Sequence, residues 1–300
     1  MTHRPDGRRS LRRKSLIGAG TQLGTEVSIN LGSAIAGLLI PIVGAVVIVA
    51  VRQLVTVAAI TPFYRPQPRQ LTWRRLWPAI ALGVVLAVMN LAFYESVGRL
   101  GLGLAATIEF LGPFTLALLG SRRLIDLACA VAAAAGILLL TDAAGPLDPF
   151  GVAFALIAAA AWAAYILLTR RVANQLPGLE GLTVASIVAS VILVPAALFV
   201  VDYAAIDWRV LGLLLAAGIL SSALPYSLDT FILRRISARL YAIITSAGPV
   251  IAAVFGWLLL AEAFTLQQQF GIVVVCVAAA VAVATQRARP RSELEKTAEA

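Results

Sequence analysis

The amino-acid sequence predicts an all-α integral membrane protein: ten transmembrane helices in two inverted-topology repeats of five helices each. Three observations lead there. The 300 residues are 60% hydrophobic and only 13% charged, whereas a soluble domain sits nearer half apolar and a quarter charged. The apolar residues come in runs of roughly twenty, long enough to cross a bilayer core as helices. Basic residues gather in alternate connections, and a Gly-Pro pair at Gly112-Pro113 returns at Gly248-Pro249. A membrane β-barrel would alternate apolar and polar residues over segments of about ten, and the unbroken apolar run 131–140 does not.

In chain order, residues 1–22 form a basic tail with Arg4, Arg8, Arg9, Arg12, Arg13 and Lys14. No small-residue cleavage site closes a short apolar region there, so the tail is expected to remain as a cytoplasmic anchor. Ten spans then fit, roughly 23–41, 44–62, 76–97, 102–120, 123–141, 149–169, 181–202, 209–233, 239–260 and 267–285. They divide into a first repeat over 23–142 and a second over 149–285, followed by a closing tail over 286–300. Most connections are short, which makes successive helices antiparallel neighbours.

Orientation follows the basic residues. One side carries the leading tail, Arg65, Arg69, Arg74, Arg75, Arg122, Arg123, Arg170, Arg171, Arg234, Arg235, Arg239 and the closing tail. The other has Arg99 and Arg209 among Asp142, Asp148, Asp202, Asp207 and Glu262. Both termini are therefore expected to be cytoplasmic. An odd number of crossings per repeat makes the second repeat enter from the face opposite to the first, an arrangement recurrent in secondary transporters.

Several function classes drop out. The net charge of +9 would suit nucleic acid, but the charges lie in loops and tails and no nucleic-acid motif accompanies them. Cys129 and Cys276 sit inside apolar runs, where a disulfide or redox role is not expected. The single histidine is His3, in the leading tail. No His-based metal or triad chemistry is available, no Ser–Lys pair lies within a span, and neither a metal nor a cofactor is expected. An intramembrane enzyme is the poorest reading.

The candidate site begins with the stretch 105–121, AATIEFLGPFTLALLGS, in which one carboxylate, Glu109, stands in an apolar run. Ionisable groups at membrane depth cost about 2.5–3.5 kcal/mol on insertion scales, so each needs a reason. Pro113 has no N–H and leaves the Glu109 carbonyl without its helical donor. The pattern returns with Pro249 in place of Pro113 and Thr245 in place of Glu109. Glu109 reads as a proton carrier or a ligand for a substrate ammonium, or as a structural acid paired with Arg52, which lies mid-span. Asn90 and Tyr94 share a helical face, lining a cavity or bonding a neighbouring helix. Ser222 and Tyr226 share another, and Pro225 frees the Ser221 carbonyl. Asp229 is placed to neutralise Arg234 or Arg235. Trp162 and Tyr165 could stack on a ligand or pack between helices, and Asn30 is open in the same way. Gly32, Ala36 and Gly151 read as close-packing positions. No Lys lies in any span, so acids, amides, hydroxyls and aromatics dominate; that set suits a small amphiphilic or zwitterionic solute such as an amino acid.

Ile108-Glu109-Phe110-Leu111-Gly112-Pro113, Ser121-Arg122-Arg123, the stretch 162–167 (WAAYIL) and the stretch 222–229 (SALPYSLD) together resemble the drug/metabolite transporter superfamily, in its ten-helix EamA-type branch. The resemblance runs from about Ser28 to Thr285, with Gly37 standing where a basic residue is expected. It implies residence in the bacterial inner membrane and a central cavity between the repeats. It also implies efflux of small amino acids of the threonine and homoserine kind, or related metabolites, driven by proton exchange. The partners would then be the lipid bilayer, a small-molecule substrate and protons. The same composition accommodates a proton-independent facilitator or exchanger, or a non-transporting scaffold or sensor.

Overall fold

The computed structural model describes residues 6–64, 72–119, 123–140, 147–225, 228, 232 and 238–285. Its helices are α1 (Asp6–Ile60), α2 (Trp73–Leu100), α3 (Leu102–Glu109), α4 (Leu111–Leu118), α5 (Leu124–Leu140), α6 (Pro149–Ala173), α7 (Glu180–Val200), α8 (Trp208–Gly218), α9 (Ala238–Thr245), α10 (Gly248–Leu260) and α11 (Leu266–Thr285). A 3-10 turn, Tyr203–Ala205, precedes α8, and a π-helical segment, Ile219–Ala223, follows it. Six stretches among the described residues are long and apolar enough to cross a membrane, with shorter apolar helices between them.

The first of these, α1, is two helices joined at a kink at Gly44. Gly44 has φ 77° and ψ 160°, a backbone that side-chain-bearing residues rarely adopt. Ser28 Oγ donates to the Leu220 carbonyl, and Arg52 donates to the Ser221 carbonyl. A straight helix would hold Ser28 and Arg52 about 36 Å apart. They can reach adjacent residues only because the chain folds back at Gly44. Gly101, between α2 and α3, repeats the same conformation with φ 84° and ψ 165°. The helix also begins well before residue 23: α1 starts at Asp6, and Gln22 is fully buried. The tail boundary expected at residue 22 thus falls inside a packed helix.

The helix ends sort as the charges suggest. At one end the Thr183 hydroxyl donates to the Tyr64 carbonyl, Arg171 stacks over Trp77, and Arg123 donates to the Thr285 carbonyl. At the other, Arg99 pairs with Asp148 at 3.2 Å, and the Glu262 carboxylate accepts the N–H groups of Leu102 and Gly103 at 2.5 and 3.2 Å. Glu262 thereby caps α3 from the opposite half of the chain, where the carboxylate also meets the positive pole of the helix.

Small residues are buried beside large ones such as Leu39, Ile48 and Tyr94, while other large side chains face outward. Ala34, Ala36, Ala155, Ala158, Ala185, Ala217, Ala252 and Ala282 are fully buried, while Phe199 is 90% exposed and Trp257 63%. Lipid is as apolar as leucine, so helices associate in it through close backbone approach rather than burial of bulk. The closest approaches are glycine-mediated. A Cβ on Gly136 would lie 2.9 Å from the Gly271 carbonyl oxygen, and one on Gly271 would lie 2.6 Å from that of Gly136. A Cβ on Gly112 would run into the Ala159 carbonyl. Thus α5 crosses α11, α4 packs on α6, and α9 and α10 pack on α1.

Candidate substrate and proton site

Two interrupted helices frame the site. The α3–α4 helix is interrupted at Phe110, one turn from Pro113, and the α9–α10 helix at Ser246–Ala247, just before Pro249. The two interruptions fall at the positions that the repeated Gly-Pro pairs specify. Glu109 ends α3 and Thr245 ends α9. Glu109 is partly accessible. The Trp162 ring packs edge-on against Phe110, with centroids 5.9 Å apart, and so stands beside the first interruption. Tyr165, one turn further along α6, packs into the separate cluster built on α1, α2 and α7. The two rings thus pack against different clusters.

Arg52, on the second limb of α1, is 5% exposed. Its Nε and Nη2 donate to Ser222 Oγ at 3.1 and 3.0 Å, and Nη2 also donates to the Ser221 carbonyl at 3.2 Å. Pro225 denies that carbonyl its helical donor, and the π-helical turn with its i→i−5 bond from Leu224 to Ile219 accommodates the gap. Arg52 thus fills the vacancy that the proline opens. Its guanidinium lies 5.0 Å from the Tyr94 ring centroid, and the Tyr94 hydroxyl donates to Ser33 Oγ at 3.4 Å. Arg52 and Glu109 do not form a contact ion pair, although the guanidinium charge is near enough to act on the carboxylate.

Asn90 is buried and donates to the Leu86 carbonyl of its own helix; Asn30 does the same to Glu26. Thr245 accepts a hydrogen bond from Gln22 Nε2 at 3.1 Å. Tyr226 and Asp229 lie outside the described residues. What sequence reasoning missed is a polar stripe on the first limb of α1. Gln22, Glu26, Asn30 and Ser33 are all at most 7% exposed, spaced by four, four and three residues along one helical face. Placing the first span at 23–41 put Gln22 in the tail; Asn30 was a candidate, but Glu26, inside the span, was not singled out. Among the described residues no group of three His, Cys, Asp or Glu could hold a metal.

Most of the chain has counterparts among known proteins. A family model for the EamA-like transporter family matches residues 149–284. The threonine/homoserine exporter RhtA of Salmonella typhimurium strain LT2 is 34% identical over 267 residues, covering 88% of this chain and 90% of that protein. RhtA of Escherichia coli strain K12 is 34% identical over 263 residues, covering 87% and 89%. The chain belongs to the EamA-like transporter family. As a member of that family it is a multi-pass membrane transporter of a small molecule and not an enzyme. A solved crystal structure superposes with a TM-score of 0.57 at 19% identity, over 90% of this chain and 97% of its own, which speaks for the fold alone. In this EamA-like protein α1, which carries Arg52 and the polar stripe, packs on α8, the π-helical segment, α9 and α10.

Proposed function

We propose that this protein exports small amino acids of the threonine and homoserine kind across the bacterial inner membrane, by proton antiport with alternating access. The observation that carries the reading is a buried guanidinium near a carboxylate at the end of an interrupted helix, with no contact ion pair between them. Arg52, anchored on Ser221 and Ser222, is suited to the substrate carboxylate. Glu109 is suited to the ammonium group or a proton, but not to both at once. Competition for one carboxylate couples the outward flux of substrate to the inward flux of protons. The membrane potential adds about 2.3 kcal/mol per charge per 100 mV.

The architecture behind this is ten crossings in two inverted repeats. The two limbs of α1, then α2, α3–α4 and α5, form the first five; α6, α7, α8 with its π-helical segment, α9–α10 and α11 form the second. Reciprocal packing supports it: α4 of the first repeat lies on α6, which opens the second, while α9 and α10 lie on α1, which opens the first. The basic end of the bundle is then cytoplasmic, and with it both termini.

In proteoliposomes loaded with threonine, an inward proton gradient is expected to accelerate efflux, and Glu109→Gln is expected to abolish that acceleration. Undiminished gradient-driven efflux from the Glu109→Gln protein would remove Glu109 from the coupling step.

A further inference from the structure

The crossing of α5 and α11 leaves a slot at the surface of the bundle. The two helices meet through backbone at Gly136 and Gly271, and at the basic end Arg123 donates to the Thr285 carbonyl. Between these contacts they part around a groove of about 480 Å³. Its lining includes Ile125, Ala128 and Ala132 from α5 and Phe270, Val274 and Val281 from α11, and every described lining side chain is apolar. From Phe270 to Val281 the slot follows about 16 Å of α11, roughly half the thickness of a bilayer core. Spread over that length, the volume gives a mean section of about 30 Å², against about 80 Å² or more for a helix with its side chains. The slot is sized for one hydrocarbon chain and not for a partner helix.

Apolar contact does not choose the occupant, because lipid tails are as apolar as the slot wall. The charge at the slot's end makes the choice. Arg123 stands there, Arg122 precedes it, and Arg287 and Arg289 follow the end of α11 within four residues. Asp126, in the first turn of α5, is buried and does not line the slot. We propose that the slot holds an acyl chain of an anionic phospholipid, with the phosphate of its head group among these arginines. Guanidinium groups suit phosphate through paired N–H donors, and each basic residue near a membrane surface favours anionic lipid about fivefold. A lipid so held joins α5 to α11 along the stretch where they do not touch each other.

The test is thermal unfolding of the full-length chain in detergent, titrated with three probes. Dioleoyl phosphatidylglycerol is the anionic lipid; dioleoyl phosphatidylcholine has the same chains and no net charge; glycerol 3-phosphate has the anion and no chain. Phosphatidylglycerol is expected to raise the midpoint at lower concentration than phosphatidylcholine, and glycerol 3-phosphate to leave it unchanged. Ala128→Phe, which fills the slot from an exposed position, should reduce the phosphatidylglycerol response to that of phosphatidylcholine. Arg122→Gln combined with Arg287→Gln, which spares the Arg123 contact, should weaken phosphatidylglycerol about thirtyfold. Leu198→Phe, at an exposed position of α7 outside the slot, should respond as the wild type does. The proposal is overturned if the two phospholipids act alike on the wild-type protein, or if glycerol 3-phosphate stabilises as well as phosphatidylglycerol. It is equally overturned if Ala128→Phe or the arginine pair leaves the phosphatidylglycerol response intact, or if Leu198→Phe abolishes it. A change of oligomeric mass in Ala128→Phe would make the slot a subunit interface and reject the lipid. Should Ala128→Phe not fold, Val281→Phe, also exposed and lining the slot, takes its place.

Discussion

Arg52 donates to the main-chain carbonyl of Ser221 at 3.2 Å, across 169 residues of sequence, at the acceptor whose α-helical donor position is taken by Pro225. The proline and the arginine are two halves of a single hydrogen-bond requirement. Removing the arginine leaves a buried carbonyl and a buried hydroxyl unserved, so Arg52→Met should cost about 2–3 kcal/mol in stability. In a Pro225→Ala background the new N–H can serve the carbonyl. The same substitution should then cost about 1 kcal/mol less. Unfolding of the four proteins of this cycle in mixed micelles measures the coupling, and strict additivity would contradict it.

Backbone contact between α4 and α6 predicts a sharp contrast among glycines. Gly112→Ala drives a methyl group into the Ala159 carbonyl and should destabilise by about 2 kcal/mol or more. Gly24 in α1 has open space around it; Gly24→Ala should be neutral or stabilising by about 0.5–1 kcal/mol. Melting temperatures of the two purified variants check the pair.

Glu262 gives the fold a pH dependence outside the membrane-spanning segments. Burial pushes its carboxyl above the ordinary glutamate value, against the downward pull of the Leu102 and Gly103 N–H groups. A group that binds its proton more tightly in the folded state stabilises fully below its unfolded pKa, about 4.3. That contribution is lost as pH rises through the folded value. The melting temperature of the wild-type protein should therefore fall from pH 4 upward relative to that of Glu262→Gln. Parallel curves for the two proteins would refute the assignment.

Much of the architecture could be read in the sequence because the bilayer leaves few alternatives. Apolar run length, basic loops and paired Gly-Pro breaks specified where the helices lie and where two of them are interrupted. The freed Ser221 carbonyl followed from the covalent structure of Pro225 alone. The identity of its donor did not, since nothing local to Pro225 points to Arg52. Gln22 and Glu26 were hidden for another reason. Gln22 fell just below the boundary drawn at residue 23, and Glu26, inside the first span, lies on a face that packs against protein, which only the structure shows. Glu262 likewise read as one of several loop acids, because the helix it caps lies in the other half of the chain.

Gly136 and Gly271 occupy nearly matching positions in the two halves, and each lies against the carbonyl of the other. If the halves exchange shapes during transport, points on their common rotation axis are the ones that stay still. Spin labels at the exposed positions Leu138 and Val273, in a cysteine-free background, should then report one separation whichever way the proton gradient is imposed; a change would reject the idea. The crossing of α5 and α11 would be the fulcrum of the cycle, a place where contact can be as intimate as backbone on backbone because nothing there has to slide.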